Sequence, residues 1–164
     1  MAGMERLWSP WRGEYVTNAG SAQGCFLCAA ASGVQDELVV ERDAATVTLL
    51  NRFPYNPGHL MVSPGAHVSD LLAAGDEIAA QLIVAARRAM RALEVAMRPD
   101  GFNVGVNHGG AAGASVDHLH MHVVPRWGGD TNFMPVVGET KVLPESLEQS
   151  AEKLRRAFEE LAGR

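Results

Sequence analysis

Three histidines occupy alternate positions in the stretch SVDHLHMHVV, at His118, His120 and His122. Alternate side chains of a β-strand point to the same face, so this spacing predicts three imidazoles about 7 Å apart along one face of a strand. Imidazole titrates near neutral pH, and such a row can therefore bind a metal ion, transfer protons, or attack phosphorus and contact phosphate oxygens. The alternative is an ordinary amphipathic strand whose exposed face carries histidine. Three ionisable groups in register, preceded by a glycine-rich loop that contains Ser115, favour a functional site.

Two cysteines near the N-terminus, Cys25 and Cys28, form a C-x-x-C motif. In a cytoplasmic protein this spacing indicates half of a metal site or a redox pair rather than a structural disulfide. A thioredoxin-like redox pair would need a surrounding β-α-β unit, which the predicted elements do not provide. A zinc site would need two further ligands, because structural zinc binds four side chains in a tetrahedron. An unmetallated pair of buried cysteines is the remaining interpretation.

The segments around these residues show the patterns of strands and helices. Short apolar and β-branched runs bounded by turn residues predict strands, and apolar residues at three- and four-residue spacing predict two helices. Asp76 is the predicted N-cap of the first helix, and Asp43 with Ala44 is the predicted turn of a hairpin. The predicted elements are strands at 37–43, 45–51 and 59–63, a helix at 75–101, strands at 102–107 and 118–125, and a helix at 144–163.

This order of elements predicts an α+β fold. Because the early connections are short, we expect a five-stranded antiparallel sheet with one long central helix and a C-terminal helix packed against it. Residues 1–24 mix aromatic and polar residues and end in a Gly/Ser/Ala stretch, which predicts an N-terminal arm. Residues 25–164 are predicted to form a single domain, because the whole chain has only 164 residues.

The composition limits the classes of partner. The chain is 47% hydrophobic and 20% charged, with mean hydropathy of -0.03, a formal net charge of -5 and a pI of about 5.6. This balance argues against binding of long nucleic acid through a general basic surface, although a local pocket can still bind a small anion. The N-terminus lacks the apolar segment of a secretory signal, and no run of about 18 apolar residues predicts a membrane span. We therefore expect a cytoplasmic protein.

The motif His118-Leu-His120-Met-His122-Val-Val resembles the His-φ-His-φ-His-φ-φ signature of the histidine-triad (HIT) superfamily of nucleotide hydrolases and transferases. The resemblance extends from about Leu7 to the end of the chain. It is greatest to the branch that contains diadenosine tetraphosphate phosphorylases and hydrolases, in the stretches RLWSPWR, LLNRFPYNPGHLMVSP, GFNVGVNHGGAAGAS and HLHMHVVPRWGGDTNF. The resemblance implies a HIT-like fold, an enzyme that cleaves dinucleoside polyphosphates, and a homodimer.

The resemblance also implies a mechanism in which His120 attacks the α-phosphorus of the nucleotide and forms a covalent nucleotidyl-histidine. Water or inorganic phosphate then releases the nucleotide, so inorganic phosphate is a possible co-substrate. His122 would donate hydrogen bonds to phosphate oxygens, and Ser115 would contact the phosphate or the leaving group. Two alternatives are a purine nucleoside phosphoramidase and a nucleotide-binding protein with little turnover.

Further site residues follow from the same resemblance. It implies that Asn51 binds ribose, that His59 lies near the nucleoside pocket, and that Asn107 lies near the phosphates. The glycine-rich loop, which ends at Gly113, would let backbone N–H groups approach the phosphate anion. Asparagine at the end of a strand is also a common turn residue, which is the other interpretation of Asn51 and Asn107.

Zinc-containing members of the superfamily indicate how the metal site is completed. They carry a C-x-x-C motif near the N-terminus, a histidine at the position of His67, and use the first histidine of the triad as a ligand. By resemblance, the zinc ligands are Cys25, Cys28, His67 and His118. Because protein side chains would then fill all four positions, the zinc would be structural.

Overall fold

The computed structural model describes residues 24–34, 36–131 and 145–163. The predicted N-terminal arm, residues 1–24, lies outside the described residues except for Gly24. The elements are α1 (Phe26–Ala31), β1 (Val39–Arg42), β2 (Thr46–Leu50), β3 (Leu60–Pro64), α2 (Asp76–Met97), β4 (Gly101–Val106), a 3₁₀ turn (Gly110–Ala112), β5 (Met121–Arg126) and α3 (Leu147–Ala162).

The five strands form one antiparallel sheet in the order β1-β2-β3-β5-β4. The predicted α+β fold, with a five-stranded sheet, a long central helix and a C-terminal helix, is confirmed. The predicted hairpin turn is also present, because the Asp43 carboxylate accepts the backbone N–H groups of Ala45 and Thr46 at 2.8 and 2.7 Å. The last strand in the chain, β5, therefore lies inside the sheet between β3 and β4 rather than at an edge.

One face of the sheet packs against α2 and α3 and holds the larger hydrophobic core. The buried side chains of this core include Leu60, Val62, Leu82, Leu93, Leu154 and Phe158. The apolar residues that alternate with the three histidines belong to it as predicted, namely Leu119, Met121 and Val123. Fully burying each large apolar side chain contributes about 1.5–3 kcal/mol, so this core fixes β5, the strand that contains His122.

The opposite face of the sheet carries a smaller core under α1. Leu27 and Ala30 of this helix pack on Val47, Leu49 and Met61 of the two neighbouring strands. The short helix thus covers the β2 and β3 part of this face, and His122 lies on the β5 part of the same face.

One local expectation needs correction, and one helix was not expected. The N-cap of α2 is Gly75, not Asp76, and no side-chain hydrogen bond caps this helix. Asp76 lies instead in the first turn with Glu77, where a negative charge interacts favourably with the helix N-terminus. The helix α1 was not predicted, because its six residues are too few for an apolar periodicity to be recognised.

In the ranges that the structure describes, no helix combines the length and the apolar character that crossing a membrane requires.

Candidate functional site

The prediction that one strand carries all three histidines is wrong, because β5 begins at Met121 and contains only His122. Before β5 the chain pairs with the segment after β3, where the Leu119 N–H donates to the Val68 carbonyl at 2.7 Å. Strand alternation therefore does not fix the directions of the first two rings. The His118 ring lies 4.7 Å from that of His67, whereas the His120 ring lies 5.0 Å from that of His122.

The group of side chains around His118 and His67 brings together the four residues predicted as metal ligands. Cys25 Sγ lies 3.2 Å from His118 Nδ1, Cys28 Sγ lies 3.5 Å from the same nitrogen, and Cys28 Sγ lies 3.2 Å from His67 Nδ1. One ligand atom from each of the four residues lies within 4.8 Å of the others. The structure therefore confirms that these residues form one cluster that can hold a metal ion.

The hydrogen bonds of His118 suit a metal ligand. Its Nε2 lies 3.0 Å from the Pro64 carbonyl oxygen, which can only accept, so the proton is on Nε2 and the lone pair of Nδ1 faces the two sulfur atoms. Burial lowers the pKa of His118, and this keeps the ring neutral and able to coordinate.

The chemistry and spacing of the donors fit zinc. Bond lengths of about 2.3 Å to sulfur and about 2.0–2.1 Å to nitrogen place these atoms roughly 3.6 Å apart in a tetrahedron. The distances of 3.2 and 3.5 Å are close to that value. Burial raises the pKa of the Cys28 thiol, with a further rise from Cys25, and a bound cation would reverse this by favouring the thiolate.

The second group contains His120, whose side chain is only 8% exposed. Its Nδ1 lies 2.8 Å from the carbonyl oxygen of His118. A carbonyl oxygen only accepts hydrogen bonds, so the proton of the neutral ring is on Nδ1 and the lone pair is on Nε2. This arrangement makes Nε2 the nucleophilic atom of the ring.

The hydrogen bonds that link Tyr55, His59 and His122 show which nitrogen of the His122 ring carries the proton. The backbone N–H of Tyr55 donates to His59 Nδ1 at 3.0 Å, so the proton of the neutral His59 ring must be on Nε2. His59 Nε2 lies 3.0 Å from His122 Nδ1 and therefore donates to it. The neutral His122 ring consequently carries its proton on Nε2, which makes that atom a hydrogen-bond donor.

Two cavities lie on the functional face, which is the face of the sheet that carries the His122 side chain. The smaller one has a volume of about 150 Å³, and its mostly apolar lining includes Phe26, Leu49, Phe53 and Met61 together with Asn51. Asn51 also has the turn role, since its Oδ1 accepts the Phe53 N–H at 2.9 Å.

The larger cavity has a volume of about 400 Å³ and includes both His122 and Asn107 in its lining. Next to it the glycine-rich loop closes at Gly113, whose φ of +89° favours glycine. A Cβ at Gly113 would lie 3.6 Å from Asn107 Nδ2. Ser115 follows two residues later and is half-buried. His108, which has no predicted role, is exposed, with its Nδ1 3.9 Å from Asp70 Oδ1.

Sequence reasoning missed several residues of the site. Tyr55 stacks on His59 with ring centroids 4.6 Å apart, and Met61 is the register partner of His122 in β3. Further cavity-lining residues not identified from the sequence include Phe26, Asn103, Gly105 and Arg126. Alternation in the third predicted strand could have placed Met61 on one face, but no local signal indicates which strand pairs with β5.

Comparison with known proteins identifies the family. Residues 32–129, more than half of the chain, match the family model described as the HIT domain. This chain belongs to the HIT family. Over 154 residues it is 43% identical to the AP-4-A phosphorylase of Mycobacterium tuberculosis, in an alignment that covers 88% of this chain and 79% of that protein. The predictions of a histidine-triad protein and of an enzyme of this family are thereby confirmed.

Solved structures of HIT proteins have the same fold. A Zn-bound histidine triad family protein from Mycobacterium smegmatis gives a TM-score of 0.73 at 30% identity, covering 85% of this chain and 96% of that one. A hypothetical histidine triad nucleotide-binding protein from Sulfolobus tokodaii gives a TM-score of 0.70 at 26% identity, covering 84% and 93%. These similarities show that this chain has the fold of the HIT proteins.

Proposed function

We propose that this HIT protein cleaves dinucleoside polyphosphates, such as diadenosine tetraphosphate, at an α-phosphate through a covalent bond to His120. The observation that carries the proposal is the hydrogen bond from His120 Nδ1 to the His118 carbonyl, which leaves the Nε2 lone pair as nucleophile beside His122. The 43% identity to an AP-4-A phosphorylase supports this choice of substrate class.

In the first step, His120 Nε2 attacks the α-phosphorus. A P–N bond forms, and the bond from phosphorus to the oxygen of the departing chain breaks with its electron pair on that oxygen. The Nε2–H of His122, set by His59, donates to a phosphate oxygen as negative charge increases in the transition state. Backbone N–H groups of the loop at Gly113, together with the side chains of Ser115 and Asn107, donate hydrogen bonds to the same phosphate.

In the second step, an oxygen nucleophile attacks the phosphorus and the P–N electron pair returns to His120 Nε2. Inorganic phosphate as the nucleophile converts diadenosine tetraphosphate into ATP and ADP, whereas water yields ATP and AMP. We favour inorganic phosphate as co-substrate, because the relative from Mycobacterium tuberculosis is named a phosphorylase.

The smaller cavity suits the nucleoside of the transferred nucleotide. Its apolar lining from Phe26, Leu49 and Met61 can hold a base, and Asn51 lines the same cavity. Since Asn51 Oδ1 accepts the Phe53 N–H, the NH₂ group of the same amide is the end that can donate to a ribose hydroxyl.

The cluster of Cys25, Cys28, His67 and His118 would hold one structural zinc ion. With four protein ligands the ion has no open position for substrate, and it would supply stability rather than chemistry. It would join α1 to the segments that follow β3 and precede β5. The Zn-bound relative from Mycobacterium smegmatis supports this choice of metal.

We further propose a homodimer of single domains formed by residues 25–164, each with an N-terminal arm over residues 1–24, in the cytoplasm. β4 is an edge strand of the sheet, and its Val104 side chain is 43% exposed. Pairing the β4 edges of two copies would extend the sheet and cover both edges.

Product analysis tests the proposed reaction. Diadenosine tetraphosphate is incubated with the enzyme with and without inorganic phosphate, and nucleotides are separated. ATP and ADP formed only with phosphate is the expected result, whereas ATP and AMP formed without it would identify a hydrolase. His120→Ala should lower turnover by about 10³-fold or more while nucleotide still binds, and His108→Ala is the control. Near-normal turnover by the His120 variant would refute the covalent mechanism.

A further inference from the structure

Four residues form a row across the functional face of the sheet. Leu49 is the register partner of Met61, Met61 is the partner of His122, and His122 is the partner of Gly105. Directly paired residues of antiparallel strands point to the same face, and neighbouring strands lie about 4.8 Å apart. The row therefore runs in one direction from β2 through β3 and β5 to β4.

The two cavities lie on opposite sides of the middle of this row. Leu49 and Met61 line the smaller apolar cavity, whereas His122 and Gly105 line the larger cavity of about 400 Å³. Gly105 leaves the floor of the larger cavity open, since a Cβ built on it meets no other atom within 4 Å. A ligand that spans both cavities must therefore pass over His122.

The larger cavity has polar groups that a nucleotide chain can use. Arg126 Nη1 donates to Asn103 Oδ1 at 2.7 Å, and a guanidinium can only donate. This fixes the orientation of the Asn103 amide, so its NH₂ group is the end that can donate to a phosphate oxygen. Asp130 holds Arg126 in place through contacts of 2.7 and 2.9 Å to Nε and Nη2. Hydrogen bonds from Arg126 keep the pKa of Asp130 far below its usual value, so this pair stays ionised near neutral pH.

We propose that the larger cavity is the subsite for the leaving group, a nucleoside polyphosphate, with Asn103 and Arg126 on its wall and Gly105 on its floor. The inference rests on the proposed function. A substrate with a nucleoside at each end needs space on both sides of the attacked phosphorus, and the smaller cavity of about 150 Å³ can hold only one of them.

Filling the cavity from Gly105 tests this assignment. Gly105→Leu adds a side chain on the face of His122, and Gly101→Leu is the matched control. Gly101 lies on the same strand and face, a Cβ added to it also meets no other atom within 4 Å, and it is outside the cavity lining. Each variant is assayed with diadenosine tetraphosphate and with adenosine 5′-phosphoramidate, which shares the transferred nucleotide but releases only ammonia.

We expect Gly105→Leu to lower kcat/KM for diadenosine tetraphosphate about tenfold or more and to change kcat/KM for the phosphoramidate less than about twofold. Gly101→Leu should leave both values unchanged. Equal losses with both substrates, or no loss with either, would overturn the subsite. If the unmodified protein cleaves neither substrate, it is the proposed function that fails, and the two failures are thereby distinguished.

A binding measurement supplies a second readout. In the His120→Ala background, which removes turnover, Asn103→Leu should weaken binding of diadenosine tetraphosphate in calorimetry about tenfold, because an amide donor to phosphate is lost. Binding of AMP, which occupies only the nucleoside cavity and the α-phosphate site, should be unchanged. Equal weakening for both ligands would contradict the assignment of Asn103 to the leaving group.

Discussion

Replacing the buried His59 by phenylalanine is expected to lower catalytic efficiency by removing the donor that holds His122 in one tautomer. His59 is 0% exposed, accepts the Tyr55 N–H at Nδ1 and donates from Nε2 to His122. Phenylalanine can fill a similar volume but can neither accept nor donate. The proton of His122 is then free to move to Nδ1, which would present a lone pair instead of an N–H to the phosphate.

The magnitude follows from the two hydrogen bonds that are lost. A buried polar group left without its partner costs about 1–3 kcal/mol. If the loss at His122 falls on the transition state, kcat/KM decreases about 5- to 150-fold, since about 1.4 kcal/mol corresponds to a factor of ten. The loss at Tyr55 falls on folding and should lower the free energy of unfolding by a similar amount.

The assay combines kinetics with a direct view of the protons. Two-bond ¹H–¹⁵N spectra of labelled protein should show His59 and His122 protonated at Nε2 and His120 protonated at Nδ1. His59→Gln is the matched control, because its amide can accept from Tyr55 and donate to His122, and it should recover most of the lost efficiency. A spectrum with the unmodified His122 protonated at Nδ1 would refute the reasoning, and so would a phenylalanine variant of normal efficiency.

Two further predictions concern the metal cluster and the β1–β2 turn. Cys28→Ser should reduce bound zinc from about one equivalent to less than half an equivalent by elemental analysis. Zinc loss from the unmodified protein should increase as the pH falls, because protons compete with the metal for the Cys28 sulfur. Burial raises the pKa of this thiol, which strengthens the competition. Asp43→Asn should lower the free energy of unfolding by about 1–2 kcal/mol at pH 7 in denaturant titrations. Burial alone would raise the pKa of Asp43, but hydrogen bonds from Arg88, Ala45 and Thr46 outweigh it and lower the pKa. The stabilisation is therefore fully present above the pKa of Asp43 in the unfolded chain, about 3.9, and is lost as the pH falls through the lower pKa of the folded protein. The difference in free energy of unfolding between the unmodified protein and the asparagine variant should therefore narrow in acid. A difference that stays constant with pH would contradict this prediction.

The fold was predictable because its elements carry their own periodicity. The short apolar and β-branched runs of β2 and β3 and the apolar stripes of α2 and α3 can be recognised without knowledge of their partners. The helix α1 has no such signal, since its six residues gain their stability from packing on Met61 and its neighbours in the second core. Only tertiary structure distinguishes this segment from a loop.

The functional site was predictable where residue types and spacing identify it, and not where strand order decides it. The triad and the C-x-x-C motif are recognisable locally, and the resemblance supplied His67 and His118 as the two remaining metal ligands. The row from Met61 through His122 to Gly105 depends on β5 lying between β3 and β4. This strand order pairs Met61 with His122, although the two residues are more than 60 positions apart in the sequence. Nothing near Gly105 in the sequence distinguishes it from a glycine in any other strand.

His118 explains how three histidines with the same spacing come to have different environments. Because β5 starts only at Met121, the His118 side chain can turn toward Cys25 while its carbonyl oxygen accepts the Nδ1–H of His120. The side chain and the main chain of this one residue therefore contact two different groups, the metal cluster and the His120 ring. A strand that began at His118 would pair this carbonyl with a neighbouring strand or direct it away from the His120 ring. The late start of β5 is thus what allows the His120 ring to be held in the tautomer that leaves Nε2 unprotonated.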